Sequence, residues 1–502
     1  MTNAKLSGAT VTSATPVAAG PFTVSMQGAK TQVKMTLPAF CRVQGEASPK
    51  INFELWLPAR HWNGRLLSIG SGGFGGFIDL NSLGKYLRKG YAVTVNDTGH
   101  SGNGTAWMHD SKALLAWGHD ATHQVIGPAK ALVRDYYGKP QTYAYFIGCS
   151  TGGAQAMEEA EFYPHDFNGI VAKSPGMDYT GLMLSFLWGL KSADDHVTIP
   201  VSKLRLLHDA VLRECDSEDG VKDGLLGDPL ACRFEPESIV CKKSRHRNCL
   251  TDEEVKTAEL IYQGPRDPRT GAQIYPGFVL GSEAGSATLT TAAGDSFMLN
   301  GWTLIQGLMA KQYAIPLLQN MVFGKSWDWK SFDWEHDVAR VNDALGAKID
   351  AMSPDLEPFE RAGGKLIMVQ GWDDPLNAAT LPIQYRQDVI SLFARGISRK
   401  QAANVVDGFF RLFMAPGMSH CIGGDGPSKV DALSAVVKWV EHDEPPAELL
   451  ATKISMPSEK PTRPLVRRPL CPYPRYARYT KGSPDIPQSF RCVRPSVQAA
   501  LN

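Results

Sequence analysis

Gly148-Cys149-Ser150-Thr151-Gly152 fits G-x-S-x-G, a pattern that presents a serine on a sharp turn between a strand and a helix. It follows a β-rich apolar run at 142–148 (TYAYFIG) and precedes a helical pattern at 152–162 (GGAQAMEEAEF). The flanking glycines remove side chains that would collide at such a turn. The following helix would offer its first amides to a developing oxyanion. A serine hydroxyl attacks usefully only with a base beside it, and the matching chain order is Ser, then Asp or Glu, then His. Gly371-Trp372-Asp373-Asp374-Pro375 follows an apolar run at 364–370, and His420 follows another at 408–415. Both would lie at the C-terminal edge of the sheet that carries Ser150. Local pattern does not separate Asp373 from Asp374.

A cysteine stands directly before Ser150 and another directly after His420. A Cys149–Cys421 disulfide would hold two Cα atoms about 5.5 Å apart and so bring serine and histidine within reach of one another. Gly70-Ser71-Gly72-Gly73-Phe74-Gly75-Gly76 follows the run at 64–70. It stands where a second oxyanion-stabilising loop belongs, with an amide at Gly72 or Gly73 acting together with that of Thr151. A phosphate-binding loop would need G-x-x-x-x-G-K-[ST] or a complete G-x-G-x-x-G, and neither is present.

Asp216, Asp219 and Asp223 lie at offsets 0, 3 and 7 in a glycine-containing loop. Crowded hard oxygens suit Ca²⁺, with the backbone carbonyls of Val221 and Leu225 as further ligands. The spacing is not that of an EF-hand, and a solvated acidic turn is the alternative. The expected ion is structural.

The elements that must position these residues are short apolar runs at 64–70, 91–96, 142–148, 364–370 and 408–415, alternating with helical patterns such as 428–441. That rhythm predicts helices packed on a largely parallel sheet. It breaks between 177 and 355, which carries four cysteines, the aspartate loop and the aromatic stretch WDWKSFDW at 327–334. The expectation is a catalytic domain from 1–176 and 356–502 with an inserted lid domain at 177–355. Trp302, Trp327 and Trp329 are candidates to cover a planar ligand. The Pro- and Arg-rich tail at 463–492 reads as surface wrapping.

Lys plus Arg number 52 against 51 Asp plus Glu, without a long like-charged block, so neither nucleic acid nor an anionic membrane is an expected partner. A small, weakly charged substrate is. The start of the chain lacks the charged-then-apolar plan of a signal peptide. The nine cysteines nonetheless include the close pairs Cys215 with Cys232, Cys241 with Cys249, and Cys471 with Cys492. Disulfides at these spacings imply an oxidising compartment, so the protein is expected to be secreted or periplasmic. Cys41 is the residue these pairs leave over.

Together these residues resemble the tannase and feruloyl esterase family, which also includes the hydrolase of mono(2-hydroxyethyl) terephthalate. The family hallmark, a cysteine beside the serine and another beside the histidine, is matched by Cys149-Ser150 and His420-Cys421. The resemblance implies an α/β-hydrolase fold and a serine-type ester hydrolase acting on small aromatic acid esters. Its G-x-x-D-P segment assigns the acid to Asp374. It also implies calcium at Asp216, Asp219, Val221, Asp223 and Leu225, and the three short disulfides. Members usually supply an N-terminal partner for Cys41, and there the chain departs from the pattern. Two rival expectations are an esterase of another acyl class and a calcium-dependent binding module with an inactive hydrolase shell.

Overall fold

The apolar runs become strands buried on both faces, as a sheet covered by helices on each side requires. In chain order the strands are β1 (Ala9–Val17), β2 (Phe40–Ala47), β3 (Ile51–Pro58), β4 (Arg65–Ile69), β5 (Ala92–Asn96), β6 (Tyr143–Ser150), β7 (Gly169–Pro175), β8 (Lys365–Gly371) and β9 (Phe410–Ala415). They form one nine-stranded sheet in the spatial order β1-β2-β3-β5-β4-β6-β7-β8-β9. The first three pair antiparallel, as does β3 with β5, and every pair from β5 onward is parallel. The computed structural model describes residues 6–25, 32–48, 50–102, 104–242, 248–290, 296–453 and 466–495.

Eight of the helices cover the sheet or carry the chain between its strands: α1 (Leu80–Leu87), α2 (Ala121–Tyr137), α3 (Thr151–Glu161), α4 (Tyr179–Asp195), α5 (Val201–Cys215), α6 (Trp302–Met309), α7 (Leu381–Phe393) and α8 (Ala432–His442). On one face of the sheet Leu66, Phe146, Ile170 and Met368 pack with Ile126 of α2, Met157 of α3 and Ile383 of α7. On the other, Leu67, Tyr145, Val171 and Ile367 pack with Leu83 of α1 and Val436 of α8. Successive strand residues point to opposite faces, so one sheet feeds two cores. Each fully buried Leu or Phe stabilises the fold by roughly 1.5–3 kcal/mol. This is the α/β-hydrolase architecture.

Among the described residues the main sheet takes no strand between β7 and β8. The chain instead runs through α4, α5, a hairpin of Ser286–Thr290 with Ser296–Asn300, and α6. Met183, Leu184 and Phe186 of α4 join the first core, whereas Leu204, Leu207, Phe278 and Trp302 close a separate one. The base of this excursion is tied by Ala351 N–H donating to the Met177 carbonyl at 2.8 Å.

The tail differs from the surface wrapping expected of it, and its residues 463–465 lie outside the described ones. Arg467–Leu470 pairs with Leu449–Thr452, and Arg468 and Leu470 are buried. The Arg468 guanidinium stands 4.4 Å over the Phe490 ring and forms an ion pair with Asp223. Its charge is needed inside because buried carboxylates face it.

Candidate active site

Strand β6 runs into α3 with Ser150 at the junction, at φ 62° and ψ −124°. A side-chain-bearing residue is strained there and persists only where its surroundings over-determine it. The surroundings are two glycines and a crossing loop. A Cβ on Gly148 would lie 1.9 Å from the Gly152 carbonyl oxygen, and one on Gly70 would lie 2.7 Å from Gly152 Cα. The backbones of β6, α3 and the glycine loop therefore approach more closely than any other residue allows. Gly176 N–H donates to the Ser150 carbonyl at 3.1 Å and fixes the turn from the β7 side.

The acid and the base come from the ends of β8 and β9. His420 Nδ1 lies 3.0 Å from Asp374 Oδ1 and 2.9 Å from Oδ2. Asp374 is wholly buried, and its carboxylate also accepts from Leu376 N–H at 3.0 Å, Asn377 N–H at 3.1 Å and Gln370 Nε2 at 3.2 Å. Burial alone would raise this carboxyl. The facing imidazole and the two amides outweigh it and hold the group below the usual carboxylate range. Asp373 is different: burial, aided by the Glu283 carboxylate and opposed by His208, pushes it up to about 8. The side chain that meets the histidine is thus Asp374.

The bridge between Cys149 and Cys421 is formed, with Cα atoms 6.0 Å apart, so the residues flanking Ser150 and His420 are covalently held together. Cys421 N–H donates to Ser174 Oγ at 3.2 Å, and Lys173 Nζ donates to the Cys421 carbonyl at 3.0 Å. Ser174 also accepts, through its carbonyl, from Asn377 Nδ2 at 2.6 Å. The end of β7 thereby links the acid loop to the histidine loop. The pairs Cys215–Cys232, Cys241–Cys249 and Cys471–Cys492 are formed as well, and Cys41 lies buried in β2.

The glycine loop at 70–76 lies against the first turn of α3. Thr151 Oγ1 donates to the Gly73 carbonyl at 2.7 Å, and Ser71 N–H donates to Gln155 Oε1 at 3.0 Å. Gly73 is thereby held against the Thr151 side chain, and Gly72 lies between the two tied residues. Around this loop Phe74 meets Trp107 and Trp117, each at 5.9 Å between ring centroids, and Tyr313 at 4.9 Å, while Trp117 meets Tyr179 at 5.0 Å. Trp302, Trp327 and Trp329, expected to cover a planar ligand, pack against other partners. Trp302 is wholly buried, with its indole N–H on Ser282 Oγ. Trp327 stacks on Phe323, and Trp329 lies under the exposed Lys330 ammonium. Those three tryptophans pack the excursion.

The excursion reaches the site by three further contacts that sequence reasoning missed. Gln306 Nε2 of α6 donates to the Pro375 carbonyl at 2.6 Å, Ser286 N–H donates to Ser419 Oγ at 2.9 Å, and the Tyr313 hydroxyl lies 2.8 Å from where a Gly73 Cβ would stand. Lone Gln, Ser and Tyr residues carry no spacing signal. Gln155 did carry one, standing four residues after Thr151 on the same helical face.

In the aspartate loop, Asp216 accepts from Gly224 N–H at 3.1 Å and Asp223 N–H at 3.2 Å, and Asp219 Oδ1 accepts from Val221 N–H at 3.2 Å. Asp219 Oδ2 and Asp223 Oδ1 are buried and accept from none of the described residues. Burial first, then the neighbouring Asp223 and Asp216 carboxylates, push Asp219 up to about 7. Two orphaned anionic oxygens fit a cation. Among the described residues no three His, Cys, Asp or Glu side chains are gathered as a metal-holding group by themselves, so backbone oxygens such as those of Val221 and Leu225 would have to complete the set.

The sequence profile described as tannase and feruloyl esterase matches residues 33–493. An uncharacterized esterase of Xanthomonas campestris pv. campestris is 34% identical, with 97% of this chain and 89% of the relative covered. A probable feruloyl esterase B-2 of Aspergillus flavus is 30% identical over 80% of this chain and 77% of its own length. The crystal structure of feruloyl esterase B from Aspergillus oryzae superposes with a TM-score of 0.84 at 27% identity, covering 98% of both chains. On the family match and these relatives, the chain belongs to the tannase and feruloyl esterase family of carboxylic ester hydrolases.

Proposed function

We propose that this protein hydrolyses esters of aromatic carboxylic acids, of the feruloyl, galloyl or terephthaloyl type, through an acyl-enzyme on Ser150. The observation that carries the reading is the His420 imidazole seated on both oxygens of a buried, ionised Asp374, with its loop stapled to the residue before a strained serine.

With Nδ1–H given to Asp374, the neutral imidazole has its lone pair on Nε2, the atom that takes the Ser150 proton. The serine oxygen attacks the ester carbonyl, and the oxyanion rests on the Thr151 amide and one from the glycine loop. The imidazolium, stabilised by Asp374, returns its proton to the leaving alcohol. Water, deprotonated by the same imidazole, then attacks the acyl-enzyme and frees the acid. The half-buried Tyr313, whose hydroxyl lies 2.8 Å from where a Gly73 Cβ would stand and whose ring packs on the buried Phe74, is the ring beside the glycine loop that favours a planar aromatic acyl group.

Calcium would be held by Asp216, Asp219 and Asp223 with the carbonyls of Val221 and Leu225. Its contribution is charge for the buried carboxylates and rigidity for the loop, with no part in the chemical steps. The residues between 177 and 355 serve as a lid, a role supported by their contacts to all three loops of the site. Four disulfides favour an oxidising, secreted or periplasmic location, and no helix among the described residues is long and apolar enough to cross a membrane.

Methyl ferulate, methyl gallate and mono(2-hydroxyethyl) terephthalate, assayed beside an aliphatic ester with wild type and Ser150→Ala, test the substrate class. Aromatic acyl esters are expected to have the higher kcat/KM. Equal or greater kcat/KM for the aliphatic ester would contradict the assignment.

A further inference from the structure

We infer that the Thr151 hydroxyl and the Gln155 side chain are positioning residues that set the distance between the two halves of the oxyanion cradle, an inference that rests on Ser150 being the nucleophile. Thr151 and Gln155 stand one turn apart on α3 and present one face to the glycine loop. Their two hydrogen bonds take the loop at alternate residues: the Ser71 amide donates to Gln155 Oε1 at 3.0 Å, and the Gly73 carbonyl accepts from Thr151 Oγ1 at 2.7 Å. Gly72 lies between the clamped points.

Other anchors hold the ends of the loop and its turn, and Phe74 is packed among Trp107, Trp117 and Tyr313. Gly70 N–H donates to the Ile147 carbonyl at 3.0 Å, Ser71 Oγ to the Asn96 carbonyl at 3.2 Å, and Gly76 N–H to the Asp97 carbonyl at 3.1 Å. Gly75 N–H donates to the Gly72 carbonyl at 3.0 Å, which closes the turn and orients the peptide joining Gly72 to Gly73. Among the described residues none accepts from the Gly72 N–H. A Cβ on Gly72 would meet nothing within 4 Å, so this residue faces the open side of the loop.

Thr151 consequently holds both halves of the cradle. Its own amide is one donor, and its hydroxyl ties down the carbonyl of the residue next to the other. Oxyanion stabilisation depends on donors fixed before charge develops, since a donor that must reorient loses most of its effect. Gln155, 4% exposed, does the same from the Gly70 side, where Gly152 and Gly70 are already in backbone contact. Neither side chain needs to touch substrate. Their effect belongs to the transition state, so it falls on kcat and leaves KM almost unmoved.

The test compares wild type, Thr151→Val, Thr151→Ser, Gln155→Met and Ser150→Ala on methyl ferulate, with thermal melting of each. Removing an oxyanion donor outright costs about 10²–10³ in kcat, so loosening one should cost about ten- to a hundredfold. We expect that loss in Thr151→Val and in Gln155→Met, with KM within about twofold, and recovery of most of kcat in Thr151→Ser. Unchanged kcat in the folded variants would overturn the clamp, as would a loss confined to KM or a Thr151→Ser variant as slow as Thr151→Val. Should Thr151→Val fail to fold, Gln155→Met decides from the other side of Gly72. Undiminished turnover in Ser150→Ala would instead remove the nucleophile assignment on which the clamp stands.

Discussion

The acid loop at 371–377 and the aspartate loop at 215–225 both bury carboxylates, and they hold them in opposite ways. Asp374 has an imidazole, two backbone amides and a side-chain amide around it, and its charge is favoured although no water reaches it. Asp219 and Asp223 each keep a buried oxygen with no donor among the described residues, and burial raises both. Arg468 answers part of the second charge through Asp223. The difference teaches that burial does not decide the charge state by itself: the count of donors does. The first loop is complete within the protein, and the second leaves two buried carboxylate oxygens without a donor among the described residues.

The largest effect should come from the complete loop. Asp374→Asn leaves the shape but takes away the charge that orients His420 and stabilises its protonated form, so kcat is expected to fall about 10³–10⁴-fold. Asp373→Asn is the internal control and should keep most of the activity. Its melting temperature relative to wild type should climb with pH. The Asp373 carboxyl, lifted to about 8, contributes stability that is fully present below its unfolded value near 3.8 and is lost as pH rises through about 8, whereas an amide has nothing to lose. Equal losses of kcat in the two variants would erase the distinction between the neighbouring aspartates.

Next in size is the staple. Cys149 and Cys421 are 272 residues apart, and a bridge over a loop of that length stabilises by roughly 5 kcal/mol in the chain-entropy picture. The Cys149→Ser/Cys421→Ser double variant should melt well below wild type and lose activity at temperatures where wild type is stable. The same replacement at Cys241 and Cys249, whose separation is 8, should do less. A larger loss at the short bridge would show that strain or denatured-state structure outweighs loop closure.

The smallest effect belongs to the aspartate loop. A calcium chelator should lower the melting temperature by several degrees and leave kcat unchanged well below it. Calcium restored in excess should reverse the shift in wild type but not in Asp219→Ala, measured by differential scanning calorimetry. An identical melting temperature with chelator and with calcium would leave Arg468 as the only cation the loop uses.

The site was legible where chemistry is written in short spacings. G-x-S-x-G after an apolar run marked the elbow, and the two cysteines beside Ser150 and His420 marked the fold that joins them. Five of the nine sheet strands showed as apolar runs; β1 and β2 did not, because their residues alternate or sit half exposed towards an antiparallel edge, and β3 and β7 did not, although both are buried, because polar residues such as Glu54 and Lys173 interrupt them. Aromatic content says nothing of direction: Trp302 went into a core, and Tyr313, which carried no pattern, went to the glycine loop. Arg468 escaped notice because its partner lies 245 residues away, in a loop that only the folded chain brings near.

Trapping of the covalent intermediate tests the central claim most directly. Wild type mixed with methyl ferulate, quenched in acid within the first turnovers and digested, should yield the Ser150 peptide carrying a feruloyl group, and Ser150→Ala should yield neither the adduct nor turnover. An acyl group on another residue, or full turnover by Ser150→Ala, would contradict the account.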